Sequence, residues 1–465
     1  MQPEQADPDA VDALKWPVPK GLERYGRIDG VHLKAMVEAQ AQISRDYRDK
    51  GHQYWGRIMG TEADAVGAAW MEAEFRRIGL TGIRMQSFDV PETIMPKSWS
   101  VTVGSGPTSL AIPSALPIGR IPAETTTAKA LDLVYVGLGG PVDFGDRAVN
   151  GKAVLIHAIP EPSAFFSSAS LNGAVERAER LGAAAVFITL GLPGNITGHM
   201  SLRCEKVPCF VIGKEDSERI LGEIDRAGGK VSLSYRLETE RRIDLKTTQV
   251  WGVLEGATDE NIMIIAHRDG YYEAALDNGS GVATMLGLAE YFAAVPKKDR
   301  KRTLIFVGTP GHHDPNFLGT TWMHDNREQV FGKTAVLINA EHTAYTEAED
   351  ILGKLRKSNS LPAFNWYVGG SPLLRDISVK AFTDFGVPLL AQPDRTAPGE
   401  VGKIRDDAPM VQIITAAWPY HSSRDDAAII PAAGIEASTR AYARIIDEVN
   451  KLPAKALAAP ANTTP

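Results

Sequence analysis

The apolar run Ile262–Ala266 ends abruptly in His267-Arg268-Asp269, and Asp277 follows ten residues after His267. An imidazole and carboxylates leaving the end of one strand are the donors a metal site needs. Three more segments carry such donors: His312-His313-Asp314, Glu341-His342, and Tyr420-His421 with Asp425. Each follows a strand-like run, respectively Thr303–Val307, Ala335–Asn339 and Met410–Thr415. In open α/β sheets ligands gather beyond the carboxyl ends of the strands, so these four segments point at one rim. The His and carboxylate mixture suits zinc better than magnesium, which prefers oxygen donors alone. A metal-hydrolase site is the reading.

The rim needs a sheet. From residue 243 onward, buried-type strands alternate with helices: Val250–Leu254 and the four runs above, with helices at Val282–Ala294, Ser371–Phe385 and Pro431–Leu452. Ser371 is the expected N-cap of its helix, with Pro372 in the first turn. Earlier come helices at Val31–Asp49 and Thr61–Ile78, then a strand at Ile83–Val90. Thr61 caps the second helix, Gly79 stops it, and Val66, Trp70 and Ala73 share a face. This pattern predicts an α/β fold with a mixed, largely parallel sheet sandwiched by helices.

Between about Pro96 and Arg242 the text changes to short β-runs around one helix, Val175–Leu181. The expected organisation is an extended N-terminal arm (1–30), a first part of the main domain (31–95), an inserted β-rich module (96–242), the second part (243–452) and a disordered tail (453–465). The run Lys297–Arg302 reads as a solvated turn.

The 465 residues carry a net charge of −7, 44% hydrophobic and 23% charged residues, and a pI near 5.9. This is an ordinary globular composition with no sign of a nucleic-acid partner. No apolar run approaches the roughly 18 residues of a membrane span. Cys204 and Cys209 either form one local disulfide or stay as two thiols. The polar N-terminus shows no signal peptide. It fits a secreted or periplasmic protein after signal removal, or a cytoplasmic one with a loose arm.

The ordered motifs resemble the co-catalytic zinc aminopeptidase family, especially its branch with glutamate carboxypeptidase II and the transferrin receptor. His267-x-Asp269, Asp277, Ile338-Asn339-Ala340-Glu341, Asp406-Asp407-Ala408-Pro409, Tyr420-His421-Ser422-x-x-Asp425 and Leu318-Gly319-Thr320 carry the likeness. The inserted module resembles the protease-associated domain. One departure stands out: where the family has Glu-Glu, a general base and a ligand, this chain has His312-His313-Asp314. Anchored on Gly311, His312 replaces the base and His313 the ligand. Anchored on Leu318-Gly319, His313 replaces the base and Asp314 the ligand.

The resemblance implies one or two zinc ions, with Asp277 bridging. His267 and Glu341 would complete one site, and His421 with His313 or Asp314 the other. Asp269 and Asp425 would stand behind the ligands, and Tyr420 would donate to an oxyanion. Lys403 and Arg405 are candidates for binding a substrate carboxylate; His342 and His324 are given surface or supporting roles. The implied activity is exopeptidase-like hydrolysis of peptide or amide bonds in small peptides or N-acyl and aminoacyl amides. The alternatives are a non-catalytic binder on the same scaffold, or a hydrolase or cyclase for a non-peptide amide. A homodimer is an open expectation.

Overall fold

The computed structural model describes residues 17–104, 109–119, 121–122, 125–159, 171, 173–199, 204–358, 360–390, 397–415 and 417–459. Its main sheet has seven strands: β1 Thr81–Asp89, β2 Lys246–Leu254, β3 Thr258–His267, β4 Arg302–Thr309, β5 Thr334–Ala340, β6 Asn365–Gly369 and β7 Met410–Ile414, in the order β6-β7-β5-β3-β4-β2-β1. The central four, β7-β5-β3-β4, run parallel. The flanking pairings β6–β7, β4–β2 and β2–β1 are antiparallel. The expected fold class therefore stands.

Alternation along β3 explains why both faces are covered. Ile262, Ile264 and Ala266 join one core, while Met263 and Ile265 join another, as the two-residue period of a strand requires. The first core packs under helices α1 Gly30–Asp49, α2 Glu62–Ile78, α3 Gly281–Ala293, and two later ones, Pro372–Asp384 and Ala432–Val449. The second is covered by the short helix Leu318–Asp325 and the 3-10 turn Glu400–Lys403, through Met323 and Val401.

The caps read from sequence are present. The Thr61 hydroxyl accepts from the Asp64 N–H, and the Ser371 hydroxyl from the Leu374 N–H, both at 3.2 Å. Gly79 ends α2 at φ 90°. The face of α2 differs from expectation: Gly67, Ala68, Met71 and Phe75 are buried, while Val66 is exposed. The larger Met and Phe side chains bury more apolar area and set the rotation of the helix.

Three other expectations change. Residues 17–30 are no extended arm. Tyr25 is buried against Tyr291 and Phe385 and donates to Asp447 at 2.9 Å. The C-terminal stretch is packed as far as Leu457, which is buried and whose carbonyl accepts from Ser371 N–H at 2.9 Å. Residues 460–465, like 1–16, lie outside the described residues. In the Lys297–Arg302 run, Arg300 and Arg302 are buried; Arg302 donates to the carbonyls of Val449 and Leu452 at 2.6 and 2.8 Å. A cation there meets the negative end of the Ala432–Val449 helix.

The inserted module has its own eight-stranded sheet, built from strands between Thr93 and Arg242. It leaves the main sheet on an antiparallel ribbon: Asp89 faces Lys246 in β1–β2, and Thr93 faces Arg242 in the module. Two helices, Ala174–Arg180 and Lys214–Arg226, pack on its sheet. The module also meets the main domain away from the ribbon, through the Gln53 side chain on the Trp99 backbone and through a backbone seam. Gly198 bridges Ser422, His199 N–H donates to the His421 carbonyl, and Ser423 N–H donates to the Thr197 carbonyl, the last two at 2.8 Å. Cys204 and Cys209 are disulfide-bonded.

Candidate metal centre

The parallel strands deliver their donors together. His267 is the last residue of β3, the His312-His313 turn follows β4, Glu341-His342 follows β5, and His421 follows β7. Strand parity sorts the His-Arg-Asp motif. Arg268 continues the Ile264–Ala266 face towards α2, where its guanidinium pairs with Asp64. His267 and Asp269 are left to the rim, both buried.

Asp277 is the centre, buried in the turn between β3 and α3. Its Oδ1 lies 3.0 Å from His267 Nε2 and 3.2 Å from His342 Nε2. Its Oδ2 lies 3.1 Å from His313 Nε2 and 3.0 Å from His421 Nε2. The last two nitrogens are 2.9 Å apart. A tetrahedral zinc with bonds of 2.0–2.1 Å holds its ligand atoms about 3.3 Å apart, so this triangle has the size of one coordination face.

The hydrogen bonds behind the rings decide which nitrogens carry lone pairs. His267 Nδ1 sits 3.1 Å from the Asp269 carbonyl, and His342 Nδ1 sits 2.8 Å from the Thr415 carbonyl. A carbonyl only accepts, so each Nδ1 carries the hydrogen and, in neutral imidazole, each Nε2 a lone pair. His313 Nδ1 is likewise 3.0 Å from an Asp269 carboxylate oxygen. Three lone pairs thus face a carboxylate that is also only an acceptor. His267 Nε2, His342 Nε2 and Asp277 Oδ1 are all buried without a hydrogen-bond partner: their contacts are short but lack hydrogen-bond geometry. Such an acceptor-rich cluster calls for cations, and its nitrogen-rich donor set fits zinc.

Protons are the substitute when no metal is bound. Burial opposes charging His313, yet the Asp277 charge and the Asp269 bond outweigh it and raise its pKa well above the usual imidazole range. Burial instead dominates at His312, lowering its pKa well below that range, and at His421, pushed down to about 4. Burial also pushes Glu341 up to about 8.

Supporting groups hold the cluster in place. Asp425 accepts from the backbone N–H groups of Leu276 and Asp277 at 2.6 and 3.2 Å. Asp269 also accepts from the backbone of His312 and His313. Glu341 Oε2 is held by Asn339 and Gln412 at 2.9 and 3.0 Å, while Oε1 lies 3.7 Å from His312 Nε2. His312 stacks on His267 at 3.8 Å, and its Nδ1 has no hydrogen-bond partner. Asp314 is apart from the cluster, accepting from Asn316 N–H at 2.9 Å. Lys403 is exposed; Arg405 donates to the Gly402 carbonyl and faces Asp406. Neither lines the cleft at the site.

Sequence reasoning overlooked several participants. Arg57, fully buried, donates to the carbonyls of Arg268, Glu273 and Ala274 and so clamps the β3–α3 turn. Glu400, buried beside His267 and bonded to Thr309, is pushed up to about 7 by burial. His342 was given only a surface or supporting role. Its one signal was its place directly after Glu341.

The cleft above the cluster measures ≈ 620 Å³ and is walled by His312, His313, Phe317, Tyr420 and His421 from the main domain, with Ile118 and His199 from the insert. Tyr420 stacks on His421 at 3.6 Å, and Tyr271 lies against His313 and His421. His199 stacks on Tyr271 at 3.9 Å.

Residues 249–446 match Peptidase family M28. Two curated relatives are similar. An aminopeptidase of Bacillus subtilis is 25% identical over 302 residues, 63% of this chain and 60% of the relative. A probable glutamate carboxypeptidase of Arabidopsis thaliana is 26% identical over 151 residues, 29% of this chain and 22% of the relative. The chain thus spans less than two thirds of the length of either relative. Among solved structures, a zinc aminopeptidase from Bacillus subtilis superimposes with a TM-score of 0.64 at 19% identity, covering 96% of this chain and 99% of that one. The likeness to zinc aminopeptidases and glutamate carboxypeptidases carried by the sequence motifs stands.

Proposed function

We propose that the protein is a metal-dependent hydrolase of peptide bonds, exopeptidase-like, acting on small peptides or aminoacyl and N-acyl amides. The observation that carries this reading is the ring of four Nε2 atoms within 3.2 Å of the two Asp277 oxygens. The match to Peptidase family M28 supports it. Zinc, in one or two ions, is the cofactor; bound there it supplies Lewis acidity, acidifying a water and polarising the scissile carbonyl.

The chain's own groups do the rest. Asp277 spans the two halves of the cluster, with His267 on one side and His313 and His421 on the other. Asp269 and Asp425 fix their orientation. His312 takes the general-base position: burial keeps its ring neutral, stacking on His267 holds it beside the cluster, and Nδ1 is unpartnered. Neutral imidazole accepts a proton from the attacking water and returns it to the leaving amine. Tyr420, at the cleft wall, donates to the developing oxyanion.

The insert acts as a protease-associated domain that covers the cleft, its His199 backbone bonded to the loop bearing His421. A secreted or periplasmic setting is supported by the Cys204–Cys209 disulfide, since such bonds persist in oxidising compartments.

The test is metal content together with hydrolysis of a panel of aminoacyl and N-acyl amino acid amides. Zinc at the cluster and chelator-sensitive release of amine are expected. A protein that takes up no metal and cleaves none of the panel overturns the reading.

A further inference from the structure

His342 lies one residue beyond Glu341, for which the motif resemblance implies a ligand role, yet it is the His342 ring that reaches Asp277. Its Nε2 stands 3.2 Å from Asp277 Oδ1, and the side chain is 1% exposed. The backbone is arranged for this. His342 adopts φ 48°, a conformation that non-glycine residues rarely take. Its N–H donates to Asn278 Oδ1 at 3.2 Å, and Asn278 Nδ2 donates to the Ala340 carbonyl at 2.9 Å. Asn278 is the neighbour of Asp277, so one amide side chain ties the Asp277 turn to the His342 turn. The ring is then pinned from behind by the Thr415 carbonyl at 2.8 Å.

Every ordinary role for such a histidine meets an obstacle. Nδ1 faces an acceptor, so neutral His342 has no hydrogen on Nε2 to give Asp277. The contact from Nε2 to Asp277 Oδ1 also lacks hydrogen-bond geometry, so it is not a donated hydrogen bond. A lone pair aimed at an anionic oxygen across 3.2 Å, buried and without a hydrogen-bond partner, is unfavourable unless a cation lies against both. The geometry points to His342 as a metal ligand through Nε2, on the Oδ1 side of Asp277. Glu341, whose Oε2 is already occupied by Asn339 and Gln412, is then not the sole donor that β5 supplies. The extra imidazole adds a neutral ligand beside His313, and neither restores the negative charge of the family's carboxylate ligand. This inference rests on the metal reading above and deepens it.

Crystals of the intact protein grown with zinc test it directly, by anomalous difference density at the zinc edge. The expected result is a peak within about 2.1 Å of His342 Nε2, the normal zinc–nitrogen bond. Peaks at the cluster that leave His342 Nε2 beyond about 3 Å overturn the assignment and leave the hydrolase reading standing. An absence of any peak at the cluster overturns both. In solution, His342→Gln should lower zinc affinity by at least about tenfold in competition with a chelator. It should also change the visible absorption of the cobalt-loaded protein, which reports directly bound ligands. An unchanged cobalt spectrum in a folded variant overturns the assignment.

Discussion

In the seven-stranded sheet, four neighbouring parallel strands all end in the histidine cluster. The eight-stranded sheet of the insert contributes no member of that cluster among the described residues. It offers cleft wall from Ile118 and His199, and a backbone seam to the loop of His421. One region supplies clustered imidazoles and carboxylates held by buried polar contacts; the other supplies shape. The difference follows from connectivity. Parallel strands joined by helices present all their carboxyl ends on one rim, whereas a module hung from an antiparallel ribbon reaches that rim only sideways.

Asp277→Ala attacks the first region at its centre and should have the largest effect. Removing the carboxylate leaves four imidazoles with nothing between them, and amide hydrolysis should fall by at least about 10³-fold. Bound zinc, measured by elemental analysis, should fall with it; retained activity would break the division.

Gly198→Val strikes the seam. A Cβ there would meet the His421 carbonyl oxygen at 2.9 Å and Ser422 Cα at 3.2 Å. Displacing that loop should lower kcat/KM by about tenfold while zinc content stays at the wild-type level. Loss of zinc in this variant would show that the insert holds the cluster as well as covering it.

Asp216→Asn probes the insert alone and should do least. Asp216 accepts from Ser114 N–H at 3.0 Å and Ser114 Oγ at 2.6 Å, and pairs with Arg219 at 2.9 Å. Burial raises its pKa, but these bonds outweigh burial and the net shift is downward. A carboxylate held below its unfolded value near 3.9 contributes stability that is present above that value and is lost as pH falls through the lower folded pKa. The variant should therefore be about 1–3 kcal/mol less stable at neutral pH by urea unfolding. The gap should close below about pH 4, with hydrolysis at pH 7 unaltered.

How much was legible in the chain divides along the same line. The strands and caps of the main domain were readable because apolar periodicity and Ser/Thr caps act locally. Asp277, His267 and His421 were readable because they leave strand ends at family spacing. Arg57 was not, since its partners Arg268, Glu273 and Ala274 lie more than 200 residues away and a lone arginine carries no period. Glu400 sits in a segment with no flanking donor pattern. His342 was hidden because only a left-handed turn brings its ring inward, and no neighbouring glycine announces that turn. The packed stretches 17–30 and 453–457 were missed for a related reason: Tyr25 and Ile28 anchor the first and Leu457 the second, too few residues to make a pattern.

The seam between Thr197–His199 and His421–Ser423 also bears on the order in which the protein is made. The insert leaves the main sheet at one edge, after β1, and touches a loop that the ribosome produces more than 200 residues later. Domains generally fold as units during synthesis, N-terminal parts first. The insert can therefore be finished while β3 to β7 are still to come, and it then waits as a preformed half of a mould. The last loop, bearing His421, closes against it. A long-range contact of this kind is slow to form and rewarding only once both sides are folded, so this seam of the cleft depends on chain made at the two ends of that interval.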